Sequence, residues 1–319
     1  MTPRCPARPA AGRLPPRLAG TLALLAATSA LAQPTAPPAD PGPGRSGKLA
    51  LTGGVSTIDG AAGGGLTPWA VTGTLATEGQ IGASAFVSRV RTGDYGLTVM
   101  GAALGLGERA EISLAKQDFD TGATGTALGL PGLRLKQDIV GLKLRVAGDA
   151  ILDSDSAMPQ IAVGLLSKRT DAGGLAPTLA ALGADTRGTE LYVSATKLLL
   201  AQGVLLNGTL RYTKANQNGL LGFGGTGRDS ASLNPEVSVA WLLSPRLAVG
   251  AEFRVKPDNL NPSPLGEGLK EDDWRDLFVA WAPHKQLSIT AAWVDLGAIV
   301  PAVIPKRQRG AYLSVQAAF

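Results

Sequence analysis

From about residue 48 onward the chain is built of runs near ten residues long in which apolar and polar side chains alternate. A period of two is the mark of a β-strand, because neighbouring side chains point to opposite faces of a sheet. The clearest run is 247–256. Leu247, Val249, Ala251, Phe253 and Val255 fall on one face, and Ala248, Gly250, Glu252, Arg254 and Lys256 fall on the other. A helix would scatter those charges around its circumference, whereas a membrane barrel would place the first set in lipid and the second in its lumen. The same division recurs at 142–146, 111–114 and 236–241. About fourteen such runs are read, at 48–58, 68–77, 80–90, 95–106, 109–118, 135–147, 159–169, 189–200, 203–214, 233–243, 246–256, 274–283, 286–297 and 310–319.

The connections carry independent information. Those at 78–79, 107–108, 201–202, 244–245 and 283–285 are short, while 119–134, 170–188, 215–232, 257–273 and 298–309 are long and polar or rich in Pro and Gly. Bacterial barrels have short periplasmic turns, longer outer loops and an even strand number. If the first strand starts in the periplasm, every long connection falls outside. All the tight turns except 91–94 then fall inside, and 148–158 is a longer periplasmic turn. The predicted fold is all-β: a transmembrane antiparallel up-and-down β-barrel of about 14 strands. Twelve strands are expected instead if residues 48–67 fold into the lumen rather than pair in the wall.

The two ends of the chain support this placement. Arg4, Arg8, Arg13 and Arg17 precede an apolar run from Leu18 to Ala30, and Ala30-Leu31-Ala32 reads as a small-x-small cleavage site. Residues 1–32 are therefore a predicted signal peptide, too short in its apolar part to span a bilayer as a helix. Residues 33–47, rich in Pro and Gly, read as a flexible periplasmic leader, leaving 48–319 as the barrel. At the other end Leu313, Val315, Ala317 and Phe319 share one face of a last strand that closes on an aromatic residue. This resembles the assembly signal of outer-membrane barrels, so the barrel assembly machinery is an expected partner, together with outer-membrane lipid and lipopolysaccharide. Trp69, Trp241, Trp281 and Trp293 lie near strand ends or on lipid faces, where interfacial indoles are favoured.

Composition narrows the function. The formal charge of +5 includes four signal-peptide arginines, so the processed chain is near +1 and carries no basic stripe suited to nucleic acid. The single cysteine, Cys5, lies in the predicted signal, so disulfide and thiol chemistry are not expected beyond it. Glycine is 42 of 319 residues, about twice the ordinary share, in keeping with many turns and close backbone approaches.

Several strings resemble a family of proteobacterial proteins catalogued as domain of unknown function 3034. They run from Leu51 to Ser56 and Ile58 to Trp69, and include 195–198, 219–225, 256–260 and 294–297. The resemblance implies a secreted, β-rich outer-membrane protein and assigns no activity to any residue.

Candidate chemistry is sparse. The glycine cluster at 59–66 leads into Leu66-Thr67-Pro68-Trp69 with no helix indicated, so it reads as a tight loop or an inward-folded constriction rather than a phosphate loop. His284 is the only histidine, set in a turn, and a Ser–His–acid triad would have to use it. The acid clusters 153–155 and 271–273 do not fit a calcium-loop pattern and are expected to be solvated. No cofactor, metal or catalytic residue is expected. The remaining constellation is a predicted lumen face of Glu111, Lys143, Arg145, Lys168, Glu190, Arg211, Glu236, Glu252, Arg254 and Asp276. These charges predict a porin-like passive channel for small hydrophilic solutes or ions. The alternatives are a non-conducting structural or binding barrel, or an outer-membrane lipid hydrolase. A hydrophobic-solute transporter is disfavoured by the polar lumen.

Overall fold

A computed structural model describes residues 48–151, 157–262 and 267–319. The predicted signal peptide, the leader and the acid cluster at 153–155 lie outside these residues.

The alternating runs from residue 80 onward form the wall. It consists of β3 (Ile81–Thr92), β4 (Gly96–Leu106), β5 (Ala110–Asp120), β6 (Arg134–Ala147), β7 (Gln160–Asp171), β8 (Arg187–Leu199), β9 (Val204–Thr213), β10 (Ser232–Ser244), β11 (Leu247–Arg254), β12 (Trp274–His284), β13 (Leu287–Asp295) and β14 (Arg309–Ala318). Each strand pairs antiparallel with its sequence neighbours, and β14 closes on β3. The wall thus has twelve strands, and all but the eight-residue β11 reach the roughly nine residues that a tilted strand needs to cross a bilayer.

Alternation sorts the side chains as expected. Leu114, Val140, Leu210, Val237 and Leu277 are exposed on the outer face. Ser113, Lys143, Arg211, Glu236 and Asp276 are buried inside. Trp241, Trp281 and Trp293 also face outward. This is an outer-membrane-type barrel, with an apolar band against lipid and polar groups within.

The connections 107–109, 148–159, 200–203, 245–246 and 285–286 lie at one end, with both ends of the wall's chain path. The five long connections and the tight 93–95 turn lie at the other, where α1 (Gly122–Ala127) and α2 (Ala176–Ala181) decorate the loops. Register shifts at Arg145/Ala147, Leu242/Ser244 and Trp281/His284 all fall at the short-turn rim, where bulges commonly end pairing.

The expectation that fails is the placement of 48–58 and 68–77 as wall strands. The stretch from Thr52 to Val71 is largely buried within the lumen, where β1 (Val55–Ser56) and β2 (Ala62–Gly63) pair over two residues each and Gly63 also bridges Pro68. The physical reason is side-chain size. A wall strand needs large apolar groups on its lipid face, whereas this segment is mostly Gly, Ala and Thr and is buried all round. The twelve-strand alternative holds, with residues 68–76 joining the lumen segment. Trp69 goes with it: its indole is buried inside and donates to Ser238 Oγ at 3.0 Å rather than reaching the lipid face.

Candidate functional site: the plugged lumen

A chain segment without regular structure must find partners for its backbone N–H and C=O groups elsewhere. For residues 48–76 the wall supplies them. Glu111 on β5 and Lys143 on β6, paired at 3.0 Å, work as one clamp. The carboxylate accepts Ala62 N–H at 2.9 Å and Gly73 N–H at 2.7 Å. The ammonium donates to the carbonyls of Ala62 at 3.0 Å and Val71 at 2.9 Å.

Across the lumen Glu252 accepts Leu66 N–H at 2.7 Å, Thr67 N–H at 3.0 Å and the Thr67 hydroxyl at 2.5 Å. Uncharged wall residues complete the set. Thr209 donates to Pro68 O at 2.8 Å, Gln160 to Ala70 O at 2.7 Å and Gln117 to Ile58 O at 2.7 Å, while Gln316 accepts Ser56 N–H at 2.5 Å. Glycine makes the close approach to Glu252 possible. A Cβ on Gly64 would run into that carboxylate, and Gly65 has a φ of +125°, which L side chains rarely adopt.

At the tip of the plug Asp59 enters a ring of wall charges. Its carboxylate lies 2.9 Å from Lys168, 3.4 Å from Arg211 and 3.5 Å from Arg254. The wall groups also pair with one another: Lys168 with Glu190 at 2.8 Å, Arg211 with Glu190 at 2.7 Å and Glu236 at 2.5 Å, and Arg254 with Glu236 at 3.2 Å. Along β7 to β11 the signs alternate strand by strand, from Lys168 through Glu190, Arg211 and Glu236 to Arg254. Taken alone, that arc has three cations and two anions. Asp59 supplies the third anion and brings the cluster to neutrality.

The long connection 214–231 closes the same space from the opposite end. Gln217 and Asn218 take left-handed backbone angles, with φ of 45° and 61°, and both are buried. Asn218 donates to Asp59 at 2.8 Å and accepts from Lys168 at 3.0 Å, so the plug tip and the outer loop meet in one hydrogen-bonded cluster. A second contact holds the loop from above. Gln217 N–H donates to Glu271 at 2.8 Å, and Lys256 donates to the Gln217 side chain at 2.7 Å. Lys256 and Glu271 pair at 3.2 Å, and Lys256 also stands 4.6 Å from the Trp274 ring centroid. Burial pushes the Glu271 carboxyl up and the Lys256 ammonium down from their ordinary values, while each partner's charge opposes the shift. The acid cluster at 271–273 is therefore not simply solvated, as the sequence reading expected: Glu271 is buried in this contact.

Nine of the ten charges placed in the lumen from sequence are buried there. Arg145 is the exception in role. It lies at the short-turn rim, partly exposed, and pairs with Asp149 at 3.3 Å and Glu108 at 3.6 Å. Of the four positions expected to form an assembly signal, Leu313, Val315 and Ala317 lie on the outer face of β14, and Phe319 follows the end of that strand, exposed. Sequence reasoning missed the roles of Asp59 and Asn218; it placed Lys256 on the lumen face of the 247–256 run and took Glu271 only as part of a solvated acid cluster. Asp59 left one usable trace, as the only charged residue between Leu49 and Thr77. His284 lies exposed at the end of β12, with no hydrogen bond to a serine or an acid among the described residues.

The lumen has an apolar region as well. On the long-loop side a cavity of about 60 Å³ is lined by Leu97, Phe119, Leu221, Trp274, Val294 and Ile299, among others. The wall residues among these face inward on strands whose opposite face is also apolar.

Residues 52–316 match the family described as "Protein of unknown function (DUF3034)". No curated protein matches the chain. Among solved structures it is similar to the NanC porin, with 7% identity and a TM-score of 0.48 over 74% of this chain and 100% of that one. It is similar to the same degree to the KdgM porin in complex with disordered oligogalacturonate: 7% identity, a TM-score of 0.48, and 74% and 99% of the two chains. Outer membrane phospholipase A from Escherichia coli is similar at 9% identity and a TM-score of 0.41, over 76% and 94%.

Proposed function

The chain belongs to the DUF3034 family, whose description assigns no activity, and from its geometry we propose a porin-like outer-membrane channel held shut by its own N-terminal segment. The observation that carries this reading is the clamping of residues 52–76 by wall charges, joined at Asp59 to the inward loop through Asn218. A barrel of eight strands is largely filled by its own side chains, but twelve leave room that something else must occupy. Here a separate segment occupies it, and removing that segment would expose a charged lumen of the kind that passes hydrophilic solutes or ions.

Residues 1–32 serve in this reading as the cleaved export signal and 33–47 as the periplasmic leader into the plug. Phe319 and its outward neighbours serve the assembly machinery. The outer face fits an anionic leaflet at the long-loop end: Arg169 and Arg187 stand directly opposite each other on β7 and β8, both exposed. Like charges so placed repel, and lipopolysaccharide phosphates would relieve them. The protein is read as non-enzymatic, its buried charges being engaged with the plug and with one another.

Planar-bilayer recording tests the channel. Intact protein is expected to stay closed, and a variant lacking residues 52–76 to conduct steadily. A folded deletion variant that passes no current would instead favour the second reading, a non-conducting structural barrel. That reading draws on the neutral, extensively paired cluster around Asp59, which is what a permanent filling would also show.

A further inference from the structure

We propose that the outer wall at the long-loop end of β12, β13, β14 and β3 binds one molecule of lipopolysaccharide through the phosphates of its lipid headgroup. The inference rests on the outer-membrane placement of the barrel and not on the channel, since the site lies outside the lumen.

The sequence puts arginine where a wall strand ordinarily meets hydrocarbon. Along β3 the outward positions run Val87, Arg89, Arg91, and all three are exposed. Strand register carries the Arg91 row around the wall. Arg91 pairs with Ala311 on β14, Ala311 with Trp293 on β13, and Trp293 with Leu277 on β12. Arg89 lies deeper and pairs with Leu313. Trp293, Leu277 and Leu313 are all exposed, so both arginines stand level with the upper edge of the apolar band. A charge on the lipid face costs more the deeper it lies. Among the described residues neither Arg89 nor Arg91 has an ion-pair or hydrogen-bond partner to offset that cost.

One row nearer the loops, Arg275, Asp295 and Arg309 stand directly across from one another on β12, β13 and β14. Asp295 is buried beneath the guanidiniums and accepts from Arg275 at 3.0 Å, Arg307 at 2.9 Å and Arg309 at 3.2 Å. One carboxylate does not neutralise three cations, and Asp272 adds a contact to Arg307 alone, at 3.5 Å. Arg309 spends only its Nε on Asp295 and Arg275 only its Nη2, so the rest of both forks has no acceptor among the described residues. Two further acids nearby are engaged elsewhere. Asp94 accepts from Gln308 at 2.8 Å, and Asp273 accepts Lys256 N–H at 3.2 Å.

Forked, always-charged donors match phosphate oxygens better than any other common anion except carboxylate. Arg309 and Arg91 are diagonal neighbours on one face, so the patch offers two adjoining anion positions, one at Arg275 and Arg309 and one at Arg91 and Arg89. A phospholipid with a single phosphodiester would fill one of them. Lipopolysaccharide carries more than one phosphate on an acylated headgroup and would fill both, with its chains against Trp293, Leu277 and Leu313. A second copy of this chain would need an acidic face to match. The opposite side of the wall does not supply it, because its acids already face cations: Asp118 meets Arg134 at 2.7 Å, Asp138 meets Lys116 at 3.3 Å, and Asp171 stands across from Lys136.

The experiment titrates the intact, refolded protein in neutral detergent with bis-phosphorylated lipid A and reads the adducts by native mass spectrometry. The expected result is one saturable adduct per barrel. Monophosphorylated lipid A and phosphatidylglycerol should each bind about tenfold more weakly, and inorganic phosphate in excess should not displace the adduct. Arg91→Gln and Arg309→Gln should each weaken it about tenfold, while Lys116→Gln on the opposite side leaves it unchanged. Equal binding of the one- and two-phosphate lipids to the native protein would overturn the inference without recourse to any variant. So would displacement by inorganic phosphate, native affinity in Arg91→Gln and Arg309→Gln shown by heat-modifiable gel mobility to be folded, or loss of the adduct in Arg187→Gln alone. Co-fractionation of the expressed protein with outer membranes reads the placement separately, and the plug-deletion conductance is judged by itself.

Discussion

The inner face of the barrel has two unlike arcs. Eight consecutive strands, β5 to β12, each place at least one buried charge inward, whereas the four neighbours β13, β14, β3 and β4 place none. The charged arc grips the plug through directional bonds to its backbone and to Asp59. The neutral arc presents Ser88, Ser314 and Tyr312 in a small hydroxyl cluster and, nearer the long loops, Val90, Leu97 and Val294. The cavity lies against this second arc. Holding a segment in one register requires charges and hydrogen bonds at defined positions, while leaving space for something else requires walls that make no such demands. The charged arc therefore carries most of the hold on the plug, and the neutral arc meets it through Gln316, which accepts from Ser56 at 2.5 Å and donates to Gly73 at 3.4 Å.

The comparison can be broken most strongly at Asp59. Asp59→Ala leaves the ring of Lys168, Arg211, Arg254, Glu190 and Glu236 with an uncompensated buried cation, a situation that costs about 3–5 kcal/mol. Amide hydrogen exchange over residues 55–72 should accelerate by two or more orders of magnitude, with the wall strands unchanged. An unchanged exchange rate would show that Asp59 does not hold the plug.

Glu252→Gln tests a single clamp of the same arc. The amide can still accept, but only one of its two ends does so, and a loss of about 1–3 kcal/mol in plug docking is expected from the donors left unmatched. Urea-dependent exposure of the buried Trp69, read by fluorescence in a variant whose other tryptophans are replaced by phenylalanine, measures it.

Lys48 sharpens the comparison through pH. Burial lowers its ammonium from the ordinary value to about 8, although Glu108 and Glu111 oppose the shift. Between about pH 8 and 10.5 the undocked chain keeps this proton and the docked chain has lost it, so docking of this end of the plug strengthens as pH rises through that window. Protease nicking near residues 48–52 should accordingly be slower at pH 9.5 than at 7.5, relative to a Lys48→Gln control. The same rate change in the control would remove Lys48 from the account.

The smallest effect belongs to the neutral arc. Ser88→Ala removes hydroxyl contacts to Ser314 at 2.8 Å and Tyr312 at 3.2 Å but touches no plug atom in that network, so plug exchange should stay within about 1 kcal/mol of the native protein. A larger change would mean that the two arcs are coupled.

Much of this architecture is legible in the chain. Period-two alternation and the contrast of short and long connections placed all twelve wall strands and their direction, because both follow from local geometry. The inward charges were legible for the same reason: a charge on one face of a strand whose other face is apolar has only one place to go. Residues 48–58 and 68–77 were misread because alternation among small residues does not tell a wall strand from a packed segment. The cavity was hidden for a related reason. On β4, Leu97 and Val99 point inward while Met100 and Leu104 point outward, and a strand apolar on both faces does not announce which one meets lipid. The meeting of Asp59 with Asn218, 159 residues apart, has no local signature at all.

One carbonyl ties two parts of the molecule together. The Phe319 carbonyl accepts from Ala83, near the start of the closing strand, at 3.1 Å and from Leu75, at the base of the plug, at 3.2 Å. The seam of the cylinder and the root of its stopper thus share one acceptor. Fraying of the chain at that point would unzip the wall and loosen the stopper together, so the two cannot be released one at a time from this end.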